Sequence, residues 1–195
     1  MKKRIISSVI LLLFPFITIG VFAQKKSELY FGGTGSISYA ITQSQNGVFT
    51  SNSLSTLSFQ ILPELGIQLK ASAYFGFGFG ATYQRSSSNG DATFGVLANG
   101  LIVYRKMFTD FIVKPFVQTS LLVGFGKKNS NSGADTFESN LMGNLGLSYA
   151  VTNKLQIIGS VNVFSLGYEK TGNINFFSTG IKNIGSLHFG VIRSF

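Results

Sequence analysis

From Glu28 onward, large apolar residues recur at every second position, the spacing of strands whose two faces meet different surroundings. The clearest run is Phe75, Gly76, Phe77, Gly78, Phe79, Gly80, Ala81, Thr82, Tyr83, with Phe, Ala and Tyr on one face and Gly and Thr on the other. A second run, 57–69, sets Leu57, Phe59, Ile61, Leu65, Ile67 and Leu69 against Ser58, Gln60, Glu64, Gly66 and Gln68. Pro63 falls on the apolar side of that run and has no N–H to give to a ladder, so a bulge or local break is expected there. Further strands are predicted over 28–41, 93–105, 112–125, 138–149, 155–168 and 184–195, which makes eight.

Alternation alone fits two architectures. A soluble sandwich hides its large residues, whereas an outer-membrane barrel turns them toward lipid. The glycine row opposite the phenylalanines favours the barrel, because the crowded interior of an ~8-stranded barrel needs small side chains where strands approach. A water-facing surface has no use for such a row. The connections agree: short ones are predicted near 70–72, 106–111 and 151–154, and longer polar ones at 42–56, 86–92, 127–137 and 170–179. Short turns belong to the periplasmic rim and long loops to the cell exterior. The expected fold is therefore all-β, an eight-stranded antiparallel up-and-down transmembrane β-barrel with both termini in the periplasm.

Composition narrows this further. Hydrophobic residues are 45% and aromatic residues 14% of 195, with 20 Phe, 23 Gly, only 3 Pro, and neither Cys nor Trp. After the N-terminus no stretch reaches the ~18 unbroken apolar residues of a membrane-spanning helix, so any crossing there must use strands. Without cysteine there is no disulfide, thiolate metal site or Cys nucleophile.

The N-terminus carries Lys2, Lys3 and Arg4, then an apolar block 5–22 and the small residue Ala23 before Gln24. This is the pattern of a secretory signal peptide, 1–23, with cleavage between Ala23 and Gln24. An uncleaved anchor fits less well, since Ala23 sits where cleavage is expected. The barrel domain is then 24–195, located in the outer membrane of a Gram-negative cell. Loss of the three leader cations lowers the formal charge from +9 to +6. The remaining cations are scattered, as in Lys25–Lys26 and Lys127–Lys128, so solvated loops and lipid headgroups are expected rather than nucleic acid.

Pro63, Glu64, Gly66, Gly76, Gly78 and Gly80 form a sequence of strand, Pro-Glu-x-Gly, short turn and Gly-rich strand over 59–83. In this the chain resembles the small outer-membrane β-barrel domain proteins common in Bacteroidetes, related in shape to OmpA-type and OmpX-type barrels. Segments 101–116, with Tyr104 and Arg105, and 146–167, with the turn 151–154, are similar to further strand pairs of that family. The C-terminus resembles the terminal-aromatic signal read by the outer-membrane assembly machinery, with Phe195 last and Leu187, Phe189 and Val191 on its face. Arg193 departs from that pattern, though near a rim it can snorkel to headgroups. The resemblance implies the fold and says little about activity.

Candidate chemistry is sparse. His188 lies two residues from Ser186 on one face, which raises a lipid hydrolase, but a base-activated serine also needs an orienting group and oxyanion donors, and neither is identifiable. By alternation both point into the lumen, away from lipid, where a hydrogen-bonded interior histidine is the plainer reading. Glu64, Lys114 and Arg105 are expected to project inward as a polar cluster that pairs internally, since an isolated charge in a narrow lumen is expensive. Gly76, Gly78 and Gly80 alternate in a strand with no helix after them, which rules out a phosphate loop. No metal or other cofactor is expected. The expected role is structural, envelope-stabilising or surface-interactive, without catalysis. Its partners would be outer-membrane lipid, the assembly machinery and ligands of the extracellular loops. A narrow pore, for which Gly76, Gly78, Gly80, Ser58 and Gln60 would leave space, is the alternative, and a lipid-modifying enzyme or soluble lipocalin-like barrel lies behind it.

Overall fold

A computed structural model describes residues 28–45, 51–70, 72–88, 91–108, 111–127, 135–180 and 186–195. The leader and its cleavage site lie outside these residues. The strands among them are β1 (Glu28–Gln45), β2 (Ser51–Lys70), β3 (Ala73–Ser88), β4 (Asp91–Met107), β5 (Val113–Lys127), β6 (Thr136–Ala150), β7 (Leu155–Thr171), β8 (Ile174–Gly180) and β9 (Ser186–Ser194). Each strand from β1 to β7 pairs antiparallel with the next. β8 and β9 both run antiparallel along β7, β8 beside 165–171 and β9 beside 155–161, so together they form one wall. β9 also pairs with β1 from Tyr30↔Ser194 to Ser38↔Ser186, which closes the sheet. The result is a closed eight-stranded antiparallel barrel whose seam is β9 against β1, while β8 among the described residues pairs with β7 alone; closure of this kind pairs backbone groups without water.

The side chains follow the period-two reading. Phe77 and Phe79 stand on the outside, Phe79 at 72% exposure, and Phe75 packs edge-on against Phe77 on the same face. The phenylalanines therefore do not gather in a central core. At the end of the long connections the outer face carries an aromatic row, Phe125 to Phe137 to Tyr168 to Phe177, with ring centroids 4.9, 6.1 and 4.9 Å apart. Tyr83, Phe94 and Arg85 continue it, Arg85 lying 5.9 Å over the Phe94 ring.

Of two local expectations, the break at Pro63 is met and the loop assignments need correction. At Pro63 the β2–β3 ladder skips Leu62 and Pro63, yet it resumes at Glu64↔Gly78 in the register it had at Ile61↔Ala81. Pro63 thus makes a one-sided break without a bulge. It withholds an N–H but adds no residue.

The polar stretches 42–56, 86–92 and 170–179 are mostly strand rather than loop. β1 and β2 continue to Gln45 and Ser51, β3 and β4 to Ser88 and Asp91, and β7 turns into β8 through Gly172 and Asn173. Gly172 has φ 57°, the left-handed conformation that a two-residue hairpin demands and glycine supplies. Polar residues can hold these extensions because Ser and Thr bond across the ladder, as Thr56 Oγ1 and Ser86 Oγ do at 3.1 Å. Residues 128–134 of the remaining long connection lie outside the described residues.

Candidate functional site in the lumen

The lumen is stacked in layers from the short-turn end. Lowest is an apolar plug of Tyr30, Tyr74, Met107, Phe116, Ile158 and Ile192. Tyr30 and Tyr74 meet edge to face, their centroids 5.5 Å apart. The glycine rows make this plug possible. A Cβ on Gly66 or Gly76, which face each other across β2 and β3, would run into the Tyr30 ring. One on Gly78 would press on Leu101, and one on Gly146 would run into Phe116. The space left by Gly76 and Gly78 is therefore filled by large side chains from neighbouring strands.

Above the plug, Arg105 of β4 reaches Glu64 of β2, Nη1 donating to Oε1 at 3.1 Å and Nη2 to Oε2 at 3.5 Å. Side-chain exposure is 0% for Arg105 and 1% for Glu64. Glu64 has room because its ladder neighbours are Gly32 and Gly78. Arg105 Nε donates to Gln118 Oε1 at 2.9 Å, and its guanidinium lies 5.6 Å over the Phe116 ring. Such satisfaction is what a buried ion pair requires.

Lys114 does not join this pair. It faces the lumen side of β5 but stands four residues nearer the short-turn end than Gln118, half-buried and paired in register with Ser148. At a rise of ~3.3 Å per residue that is about 13 Å away along the strand.

Next come Leu62, Leu101, Val103 and Leu122, packed with Met142. Higher still, Asn99 Nδ2 and Gln60 Nε2 both donate to Thr82 Oγ1, at 2.6 and 2.8 Å. Near the bottom a second polar set runs from Ser148 Oγ to Gln156 Oε1 at 2.9 Å and from Gln156 Nε2 to Tyr74 Oη at 3.2 Å.

This barrel has a known likeness. The crystal structure of Neisserial surface protein A (NspA) superposes with a TM-score of 0.54 at 18% identity, covering 88% of this chain and 100% of that one. At that identity the likeness speaks for the fold, an outer-membrane-type eight-stranded barrel. No protein-family model matches the sequence, and no curated protein matches it.

His188 lies in the wall between Ser36 of β1 and Ser160 of β7. Its Nε2 is buried and has no hydrogen-bond partner among the described residues. It is therefore not the satisfied interior histidine expected from sequence. No group of three or more His, Asp or Glu suited to a metal occurs among the described residues. Leu187, Phe189, Val191 and Phe195 stand exposed on the outer face of the last strand. Arg193 shares that face and lies 5.5 Å over the Phe195 ring, so its charge rests against the terminal aromatic at the rim.

Sequence reading missed the β6 and β7 residues above Thr82. β7 carries a β-bulge: Gly143 pairs with Phe164 and Asn144 with Asn162, leaving Val163 unmatched. Below the bulge even-numbered residues face inward, and above it odd-numbered ones do. Asn162, Ser165 and Glu169 consequently all line the lumen, with Glu138 of β6. The signal was the doublet Val163–Phe164, two large apolar residues where strict alternation allows one.

Proposed function

We propose that the protein is an integral outer-membrane barrel with a structural, envelope-stabilising or surface-interactive role and no catalytic turnover. The observation that carries this reading is the contrast between the two faces. Large apolar residues such as Phe77, Phe79, Ile61 and Leu65 stand outside, while the lumen is closed by Arg105–Glu64 and the Tyr30 plug. Exposed apolar surface of that extent calls for lipid. The aromatic row at one end fits the girdle of such barrels at a membrane interface.

In this orientation the long connections face the exterior, and the chain arrives through a leader cleaved after Ala23. The assembly machinery engages the last strand through Leu187, Phe189, Val191 and Phe195. The motif around Pro63 and Glu64 supports kinship with Bacteroidetes barrels. Ser186 and His188 face the lumen rather than acyl chains, which supports the absence of lipid hydrolysis.

The test is cell fractionation followed by electrophoresis with and without boiling. The reading requires the protein in the outer-membrane fraction with a boiling-dependent mobility shift, and a deletion strain with weakened envelope integrity or surface binding. Recovery in the aqueous fraction without detergent would overturn it.

A further inference from the structure

The half of the lumen nearest the long connections is a cup of about 440 Å³, open at the mouth and within the ~300–1,000 Å³ usual for small-ligand sites. Its floor is apolar, formed by Leu122 and Met142 of the packed layer below. One wall carries Ser36 and Ser38 of β1 opposite Gln60 and Ser58 of β2. β6 and β7 form the far side of the ring, and from there Asn162 and Ser165 face in, 6% and 3% exposed.

Asn162 Oδ1 and Ser165 Oγ have no hydrogen-bond partner among the described residues. Buried polar atoms are rarely left so, because the loss of water must be compensated. The Val163 bulge sets both side chains on the lumen side, and bulges commonly re-aim side chains at functional sites. At the mouth Phe176 of β8, opposite Glu169 in the ladder, lines the same cavity and keeps 57% of its surface exposed. An aromatic ring there offers a flat apolar platform with an electron-rich face.

These groups select a ligand class. No Lys, Arg or His lines the cup among the described residues, so an anion finds no countercharge. Glu138 and Glu169 line it too, but both are already engaged, Glu169 Oε1 accepting from Thr171 Oγ1 at 3.2 Å, and neither serves as a seat for a cation. What remains is a set of neutral hydroxyls and amides, which both donate and accept, between an apolar floor and an aromatic mouth. A neutral sugar has the matching surfaces, hydroxyls around its edge and C–H groups on the faces of its rings. Ser165 and the level of Glu169 and Phe176 are four residues apart, about 13 Å along the strand, which is long for one sugar ring and suits two.

We propose that the cup binds a neutral disaccharide, its hydroxyls donating to Asn162 Oδ1 and Ser165 Oγ at the bottom and one ring resting on Phe176 at the mouth. The site needs only the barrel fold, so it stands apart from the envelope role proposed above.

The experiment is saturation-transfer NMR on the full chain, refolded in an amine-oxide detergent that carries no sugar, with folding checked by the boiling-dependent gel shift. Maltose, cellobiose, lactose and trehalose are the probes. At least one should receive saturation, and its titration should reach a plateau. Affinity for that sugar should fall about tenfold in N162A/S165A, as loss of one or two hydrogen bonds would produce, and should fall in F176A as well. Both variants should fold, since Asn162 Oδ1 and Ser165 Oγ bond nothing among the described residues and Phe176 is exposed. Should N162A/S165A lack the gel shift, S165A carries that comparison. No transfer to any of the four sugars, equal transfer to triethylene glycol, or unchanged affinity in the folded variants would each overturn the proposal.

Discussion

Glu64 and Arg105 meet across a strand that separates them. β2 and β4 are not ladder partners, yet the two side chains join at 3.1 Å over the glycines of β3, both sealed from solvent. Removing one partner leaves the other charged and buried. R105A is therefore expected to destabilise the barrel by about 3–5 kcal/mol, whereas E64L/R105M, which removes both charges, should lie near wild type. Urea unfolding followed by far-UV circular dichroism measures both, since the chain has no Trp to report by fluorescence. Wild-type stability in R105A would show that the pair is not needed to close the lumen.

The plug tests the glycine rows. At Gly76 a new Cβ would collide with Tyr30 Oη, the tip of a side chain, while at Gly66 it would also meet the backbone carbonyl of Phe75. G76A should cost about 1–3 kcal/mol, the usual range for overpacking. Much of that cost should be recovered by Y30F, whereas G66A should not be rescued. A double-mutant cycle showing no coupling between positions 30 and 76 would remove Tyr30 as the reason for the glycine.

The barrel itself was legible because a two-residue period survives any detail of register, and the Phe–Gly alternation at 75–80 distinguishes its two faces. Polar strand extensions were not legible, since Ser- and Thr-rich segments look like loops until their cross-strand partners are known. Gly172–Asn173, a recognisable hairpin pair, was the one clue that 170–179 doubles back as sheet. For the lumen, inward parity located Glu64 and Arg105. It could not rank heights along the axis, so Lys114 was grouped with them. The inward residues of upper β7 were missed because one unmatched residue, Val163, reverses the parity of everything above it.

Lipid contact should make the outer face intolerant of charge. Phe79 projects from the middle of β3 at 72% exposure, so F79R should cost about 2–4 kcal/mol in a bilayer, as charges near the midplane of such barrels do. A Lys in place of Arg193, which already holds a charge at the rim, should be close to neutral. The comparison is made by unfolding from vesicles. A soluble barrel would show the opposite, with F79R harmless or more soluble.

Between Tyr30 and Leu101 buried side chains stand across the lumen in layers, so purified wild-type barrel in a planar bilayer should give no discrete conductance steps. Steps in the wild type would revive the pore reading. Steps appearing only in a variant such as Y30A/R105A would instead locate the obstruction at the plug and the ion pair.

Deletion of Val163 is the sharpest test of the upper lumen. Val163 is the surplus residue between Asn162, which pairs with Asn144, and Phe164, which pairs with Gly143. Removing it joins two residues that already oppose adjacent partners, so Asn162 and Ser165 should stay inward, Phe164 and Leu166 outward, and the boiling-dependent gel shift should persist. Deleting Leu166, which is matched to Leu141, instead takes out a paired residue, and a one-residue slip exchanges side chains between faces, so that variant should lose the gel shift or leave the end of β7 open to protease. If deletion of Val163 destroyed the barrel as fully as deletion of Leu166, Val163 could not be the surplus residue that sets the parity above it.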